Sequence, residues 1–320
     1  MHLSNKTLSL ALIAAIPVVS VLGLRAQEST GTVFRSDTHL VVMHASVVDK
    51  SGHLITTLPK DAFKVFEGKV EQPVKKVTRE DVPVSLGVVI DNSGSMRDKR
   101  KKVEAAALDM VKASNPRDEV TIVNFNDEAF QDVEFTSDVK KMEEGLTRID
   151  SRGGTAMRDA ISTTIDYIKE KGKHSKKVIV VITDGDDNAS STAMTLERLV
   201  QKAQKSEVML YMVGLLSEES KRDANRAKHA LQTLADASGA SASFPKEMAD
   251  VDKVTLGIAG EIRSQYIIEY NPLNQNFDGG FRPVRVAVNA PGKPAVRTRT
   301  GYYATPDAPK GSKSAQITSR

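Results

Sequence analysis

Four short stretches constrain what this chain can fold into. Residues 84–90, 120–123, 177–182 and 208–213 are nearly continuous apolar runs, the pattern of strands buried on both faces. Between and after them, residues 103–111, 139–149, 156–168, 195–203 and 224–237 carry apolar side chains at helical spacing. Strands that alternate with helices build βαβ units. The spacing therefore predicts an α/β fold: a three-layer α/β/α, doubly wound, mostly parallel sheet over residues 83–260.

The flanks read differently. Residues 40–43 and 45–48 are β-rich, and 62–67, 266–270, 284–288 and 296–299 alternate apolar with polar, as half-buried strands do. Asp49-Lys50-Ser51-Gly52 is a turn cluster and Pro59-Lys60-Asp61 a bend. A short helix is predicted from Asp252 to Ile262. Residues 271–280, with Pro272, Asp278, Gly279 and Gly280, read as a hairpin loop. Each flank is too small to bury a core alone. The simplest arrangement pairs the β segment 35–80 with the β segment 265–303 in one sandwich-like domain; the alternative is two separate β appendages. The tail, residues 305–320, is rich in Pro, Ser, Lys and Gly and reads as disordered.

At the N-terminus, Lys6 precedes an apolar run over 8–24, and Ala26 offers a small residue for cleavage. Residues 1–26 thus read as a secretory signal peptide, with an uncleaved membrane anchor as the alternative. Both routes export the chain, to the periplasm, the cell surface or the extracellular space. With no cysteine in 320 residues, lipoprotein anchoring, disulfide scaffolds, thiolate zinc sites and thiol nucleophiles are all excluded. Forty-five Lys and Arg against 41 Asp and Glu, interspersed in sign, leave no footprint for nucleic acid. No phosphate loop, GxSxG elbow or HExxH helix is present, and the six histidines lie outside the loops considered next.

Three polar loops follow apolar strands or precede a helix. They are Asp91-Asn92-Ser93-Gly94-Ser95, Ser151-Arg152-Gly153-Gly154-Thr155 and Thr183-Asp184-Gly185-Asp186-Asp187-Asn188. In an open parallel sheet such loops converge at the carboxyl edge, where ligands bind. They bring together the carboxylates of Asp91 and Asp184 and the hydroxyls of Ser93, Ser95 and Thr155. All are hard oxygen donors, suited to Mg²⁺, Mn²⁺ or Ca²⁺ and not to zinc or copper. Taken singly, Asp91 or Thr155 reads as a helix cap and Ser93 as a turn residue; only a shared site accounts for all three loops. Asp184, Asp186, Asp187 and Asn188 do not make a calcium loop, because Ala189 stands where glycine is needed and Thr195 where glutamate is needed.

The order and spacing of Asp91, Ser93, Ser95, Thr155 and Asp184 resemble the metal-ion-dependent adhesion site of the von Willebrand factor type A (VWA) family. The resemblance implies that Ser93, Ser95 and Thr155 hold Mg²⁺ or Mn²⁺ directly, and that Asp91 and Asp184 do so directly or through water. It also implies a protein partner that offers a carboxylate to the metal. The flanking segments 58–68, 265–272 and 299–303 resemble a bacterial subgroup of exported VWA proteins seen in Acidobacteria. The function implied is a non-enzymatic, divalent-metal-dependent, adhesion-like binding module at the cell envelope. Two other functions stand beside it: a factor that assembles an envelope complex, and a metal-dependent hydrolase.

Overall fold

A computed structural model describes residues 39–147 and 151–306. The expected signal peptide, the end of the helix expected over 139–149, and all but the first two residues of the expected disordered tail lie outside the described residues. No helix among the described residues is long and apolar enough to cross a membrane.

The chain begins with strands β1 (Val41–Val48), β2 (Phe63–Glu67), β3 (Val70–Gln72) and β4 (Val74–Thr78). The α/β region then runs through β5 (Val84–Asp91), α1 (Arg100–Lys112), β6 (Glu119–Phe125), β7 (Ala129–Thr136), α2 (Val139–Leu146) and α3 (Met157–Lys171). It continues through β8 (Lys176–Thr183), α4 (Leu196–Ser206), β9 (Met209–Gly214), α5 (Lys221–Ser238), β10 (Ala242–Ser243) and α6 (Val251–Ser264). Strands β11 (Tyr266–Tyr270), β12 (Phe281–Val288), β13 (Ala295–Arg297) and β14 (Gly301–Tyr303) follow.

The central sheet has the order β10-β9-β8-β5-β6-β7, parallel except for the antiparallel edge strand β7. Every residue of β5, β6 and β9 is buried, which is why their centres read as nearly continuous apolar runs. Alternation along β5 divides the core. Val84, Leu86, Val88 and Ile90 pack with Val103, Met110, Met142 and Ile258 of α1, α2 and α6. Val89 faces the other way, toward Met157, Ile161, Leu199 and Leu231 of α3, α4 and α5. Gly87 shares that second face, where a Cβ would come within 2.9 Å of Ile168 and 3.0 Å of Thr164. The missing side chain is what lets α3 lie so close to the sheet.

The remaining strands form two four-stranded sheets, β13-β1-β11-β4 and β14-β12-β2-β3. Each draws strands from both ends of the chain: β1 pairs with β11 from Val41↔Tyr270 to Ala45↔Tyr266, and β2 pairs with β12 from Glu67↔Val284 to Phe63↔Val288. Met43, Ala45, Phe63, Val65, Tyr266, Ile268, Tyr270 and Tyr302 fill the space between them. One expectation is corrected here. Residues 271–280 are not a hairpin loop, because β11 and β12 belong to different sheets. The segment crosses from one layer to the other. Both strands bury alternate residues in a shared core, and face-to-face sheets satisfy that alternation as well as adjacent strands do.

Candidate functional site

Strand order places the site. From β5 the chain moves to β6 on one side, then returns to β8 on the other side of β5. The loops after β5 and β8 therefore meet at the carboxyl edge where the strand order reverses, the place where ligands bind in open α/β sheets. Asp91 ends β5 and Asp184 follows β8, so the two carboxylates lie side by side at that edge.

A chain of hydrogen bonds links four of the five expected residues, Asp91, Ser93, Ser95 and Asp184. Asp91 is fully buried. Its Oδ1 accepts the Ser93 backbone N–H at 2.8 Å, and its Oδ2 accepts the Thr183 hydroxyl at 2.6 Å. The Ser95 hydroxyl donates to Asp184 Oδ1 at 2.8 Å. Its single proton is committed there, so the 3.1 Å contact between the two serine hydroxyls has Ser93 as donor. Asp184 is fully buried and Ser93 nearly so, whereas Gly94 and Ser95 are exposed. The constellation therefore opens to solvent at Ser95.

Backbone contacts bring in Thr155. Gly94 N–H donates to Gly153 O at 3.2 Å and Arg152 N–H to Asn92 O at 3.0 Å, lacing the first loop to the second. Asn188 ties the second loop to the third: its Oδ1 accepts the Thr155 N–H at 2.9 Å, and its own N–H donates to Thr155 O at 3.1 Å. A fourth loop, not anticipated from the sequence, also takes part. Ala156 N–H donates to Asn126 O at 2.6 Å, and Gly154 N–H to Asp127 Oδ1 at 2.8 Å.

The capping roles open to single residues are filled by others. The first turn of α3 is held by Asp187, which accepts the Arg158 N–H at 2.7 Å, and by Ser190, which accepts the Asp159 N–H at 3.1 Å. Thr155 does not cap it. Asp91 closes a two-residue turn onto Ser93, while α1 starts only at Arg100.

Electrostatics mark two members. Burial pushes the Asp91 carboxyl up from 3.8 to about 6; the hydrogen bonds from Thr183 and Ser93 work against that rise, and the nearby charge of Asp184 adds to it. Lys99 is the residue that sequence reasoning missed. Its ammonium lies 2.7 Å from Asp184 Oδ2 and 2.8 Å from Glu218 Oε2. Burial works to lower its pKa, but the hydrogen bonds to Asp184 and Glu218 outweigh that and raise it. Lys99 opens a run of four basic residues, Lys99 to Lys102. The available signal was its place just beyond Ser95, at the foot of the first loop.

The donor set fits a hard divalent ion. Asp91, Ser93, Ser95, Thr155 and Asp184 offer only carboxylate and hydroxyl oxygens, the ligand type of Mg²⁺ and Mn²⁺. Among the described residues, no three His, Cys, Asp or Glu side chains group as a metal cage. Hydroxyls must therefore supply part of any coordination.

Fold and site together define a doubly wound α/β domain with a cluster of oxygen donors at its carboxyl edge. Residues 86–186 match the family described as von Willebrand factor type A domain, and the chain carries a domain of that family. Mouse integrin alpha-11 is 31% identical over 115 residues, covering 33% of this chain and 9% of that protein. Human integrin alpha-11 is 34% identical over 93 residues, covering 27% and 7%. The chain thus spans less than a tenth of the length of either relative. A solved structure, the von Willebrand factor type A protein from Catenulispora acidiphila, superposes with a TM-score of 0.51 at 14% identity over 86% of this chain and 76% of that one. That likeness is one of fold.

Proposed function

We propose that this protein is a non-enzymatic binding module that captures a protein partner through a divalent metal, Mg²⁺ or Mn²⁺, held by Asp91, Ser93, Ser95, Thr155 and Asp184. One observation carries the reading. The side chains of Ser93, Ser95 and Asp184 are hydrogen-bonded in series across two loops, and the Ser93 backbone N–H ties them to Asp91, a set buried at Asp91 and Asp184 and open at Ser95. When bound, the metal supplies a Lewis-acidic position facing solvent. Neutral hydroxyl ligands leave much of its charge uncompensated, so an incoming partner carboxylate completes the shell. The chain's own groups do the rest: Asp91 anchors the first loop through Ser93 and Thr183, and Asn188 fixes Thr155. The match to the type A family and to integrin alpha-11 supports a protein-binding role. The apolar leader at 8–24 supports export to the cell envelope. In this reading residues 83–260 present the site, and the strands of 35–80 and 265–303 form the sandwich that carries it.

The test is isothermal titration of the folded protein with Mg²⁺ and Mn²⁺, alongside Asp91→Ala, Asp184→Ala and Ser95→Ala. Both aspartate variants are expected to lose binding. Ser95→Ala weakens it less, since water replaces one hydroxyl. Unchanged affinity in Asp91→Ala would show that these loops are ordinary turns. Capture of envelope proteins with divalent metal, but not with EDTA, checks the partner step.

A further inference from the structure

Lys99 places a fixed positive charge against the proposed site. Two tight turns put it there: residues 94–96 form a single 3-10 turn, and Lys99 N–H then donates to Met96 O at 3.0 Å, bringing the side chain back under the first loop. The Lys99 side chain is only 7% exposed and Asp184 is fully enclosed, whereas Glu218, on the turn after β9, is 70% exposed. The buried partner of the ammonium is thus Asp184. Solvent screens the pair with Glu218.

The charge count has a direct consequence. Ser93, Ser95 and Thr155 are neutral, and Asp91 and Asp184 bring two negative charges. Lys99 cancels one of them at close range and occupies Asp184 Oδ2, leaving only Oδ1 turned toward Ser95. A divalent ion placed among these oxygens meets repulsion from the ammonium, and the buried groups Asp91, Asp184 and Lys99 offset only one of its two charges, the other counter-charge being the exposed Glu218.

We propose that Lys99 is a resident cation of the site, which weakens divalent metal binding and makes metal retention depend on the arrival of an anionic ligand. This rests on the metal-site reading above. It adds that the metal and the partner's carboxylate bind with positive coupling, in which each tightens the other by the same factor. Glu218, 2.8 Å from the same ammonium, moderates the effect by offsetting part of its charge.

The experiment is titration of Mn²⁺ into the wild type, Lys99→Met, Lys99→Arg and Glu218→Gln, each with and without saturating acetate as the carboxylate probe, together with thermal melts in EDTA. Lys99→Met is expected to bind Mn²⁺ about tenfold tighter or more, since a cation in contact with a ligand carboxylate is gone. Acetate should tighten Mn²⁺ binding in the wild type and have less effect in Lys99→Met. Lys99→Arg, which keeps the charge, should retain the acetate dependence. Glu218→Gln should bind more weakly than the wild type. In EDTA, Lys99→Met should melt at a lower temperature, because Asp184 is left buried without its cation, and Mn²⁺ should recover the loss. Equal Mn²⁺ affinity in wild type and Lys99→Met overturns the proposal and leaves the metal site standing. No Mn²⁺ binding by any of the variants overturns both.

Discussion

Replacing Asp91 by Asn separates the charge of this carboxylate from its shape. In the metal-free protein the carboxyl is held at about 6 against an ordinary 3.8. At 1.36 kcal/mol per pH unit, that difference sets the cost of keeping it ionised in the fold at about 3 kcal/mol above pH 7. Asparagine avoids this cost. Its oxygen can still accept the Ser93 N–H, and its amide can donate to the Thr183 hydroxyl, which now donates to Asp91. Part of the gain is lost because hydrogen bonds to a charged acceptor are the stronger kind. A net stabilisation of about 1–2 kcal/mol is expected, or roughly 2–6 °C in melting temperature for a domain of this size. The pH dependence follows from a folded pKa raised above the unfolded one. Relative stability of the wild type is fully present below 3.8 and is lost as pH rises through about 6. The Asn variant should therefore exceed the wild type at pH 7.5 and lose that advantage near pH 4. Urea unfolding in EDTA at the two pH values reads this directly. An Asn variant less stable than the wild type at pH 7.5, or a gap that does not change with pH, would refute the reasoning. Mn²⁺ should raise the melting temperature of the wild type and leave that of the variant unmoved.

Other perturbations test other parts of the argument. His44 is held down from 6.5 to about 3 by burial, then by the charges of Lys176 and Arg299; its contribution to stability is present above 6.5 and lost as pH falls toward 3, so His44→Gln should flatten the acid limb of a urea-midpoint profile. Asn188→Ala removes the acceptor that holds Thr155 N–H and should weaken Mg²⁺ binding about tenfold by titration, with little change in melting temperature, as expected for a group that only orients a ligand. Gly239 caps α5 at φ +83°, and a Cβ there would lie 2.2 Å from the backbone nitrogen of Arg299; Gly239→Ala should cost roughly 3 kcal/mol in denaturant unfolding, because backbone cannot step aside.

What was legible follows from what each element buries. Strands β5, β8 and β9 could be read because both of their faces are covered, so composition alone marks them. Strand β7 could not: it is an edge strand whose residues Phe130, Gln131 and Asp132 are exposed or half-buried, and its register with β6 shifts twice. No alternation survives to be counted. The misread stretch at 271–280 shows a different limit. Tyr266, Ile268 and Tyr270 reveal that β11 has a buried face, but a buried face does not name the strand beside it. The expected site residues stood out because short polar motifs ended apolar runs or, at Thr155, preceded a helix. Their supports did not. Lys99 is one of four consecutive basic residues with nothing in the sequence to single it out, and Asn126, Asp127 and Asn188 act through backbone groups whose partners lie far away in sequence. Such residues acquire meaning only when the loops meet.

The pairing of β4 with β11, from Thr78↔Ile267 to Val74↔Tyr270, has a mechanical consequence. The chain leaves the two-sheet unit at one strand and returns at that strand's immediate neighbour, so the whole α/β domain hangs from a pair of adjacent ropes. Tension applied between Val41 and Tyr303 runs through the two sheets and bypasses the α/β domain. The β4–β11 seam closes the loop like a clasp. Until it is unzipped, the carboxyl edge of the central sheet stays slack while the strands of the two sheets bear the load.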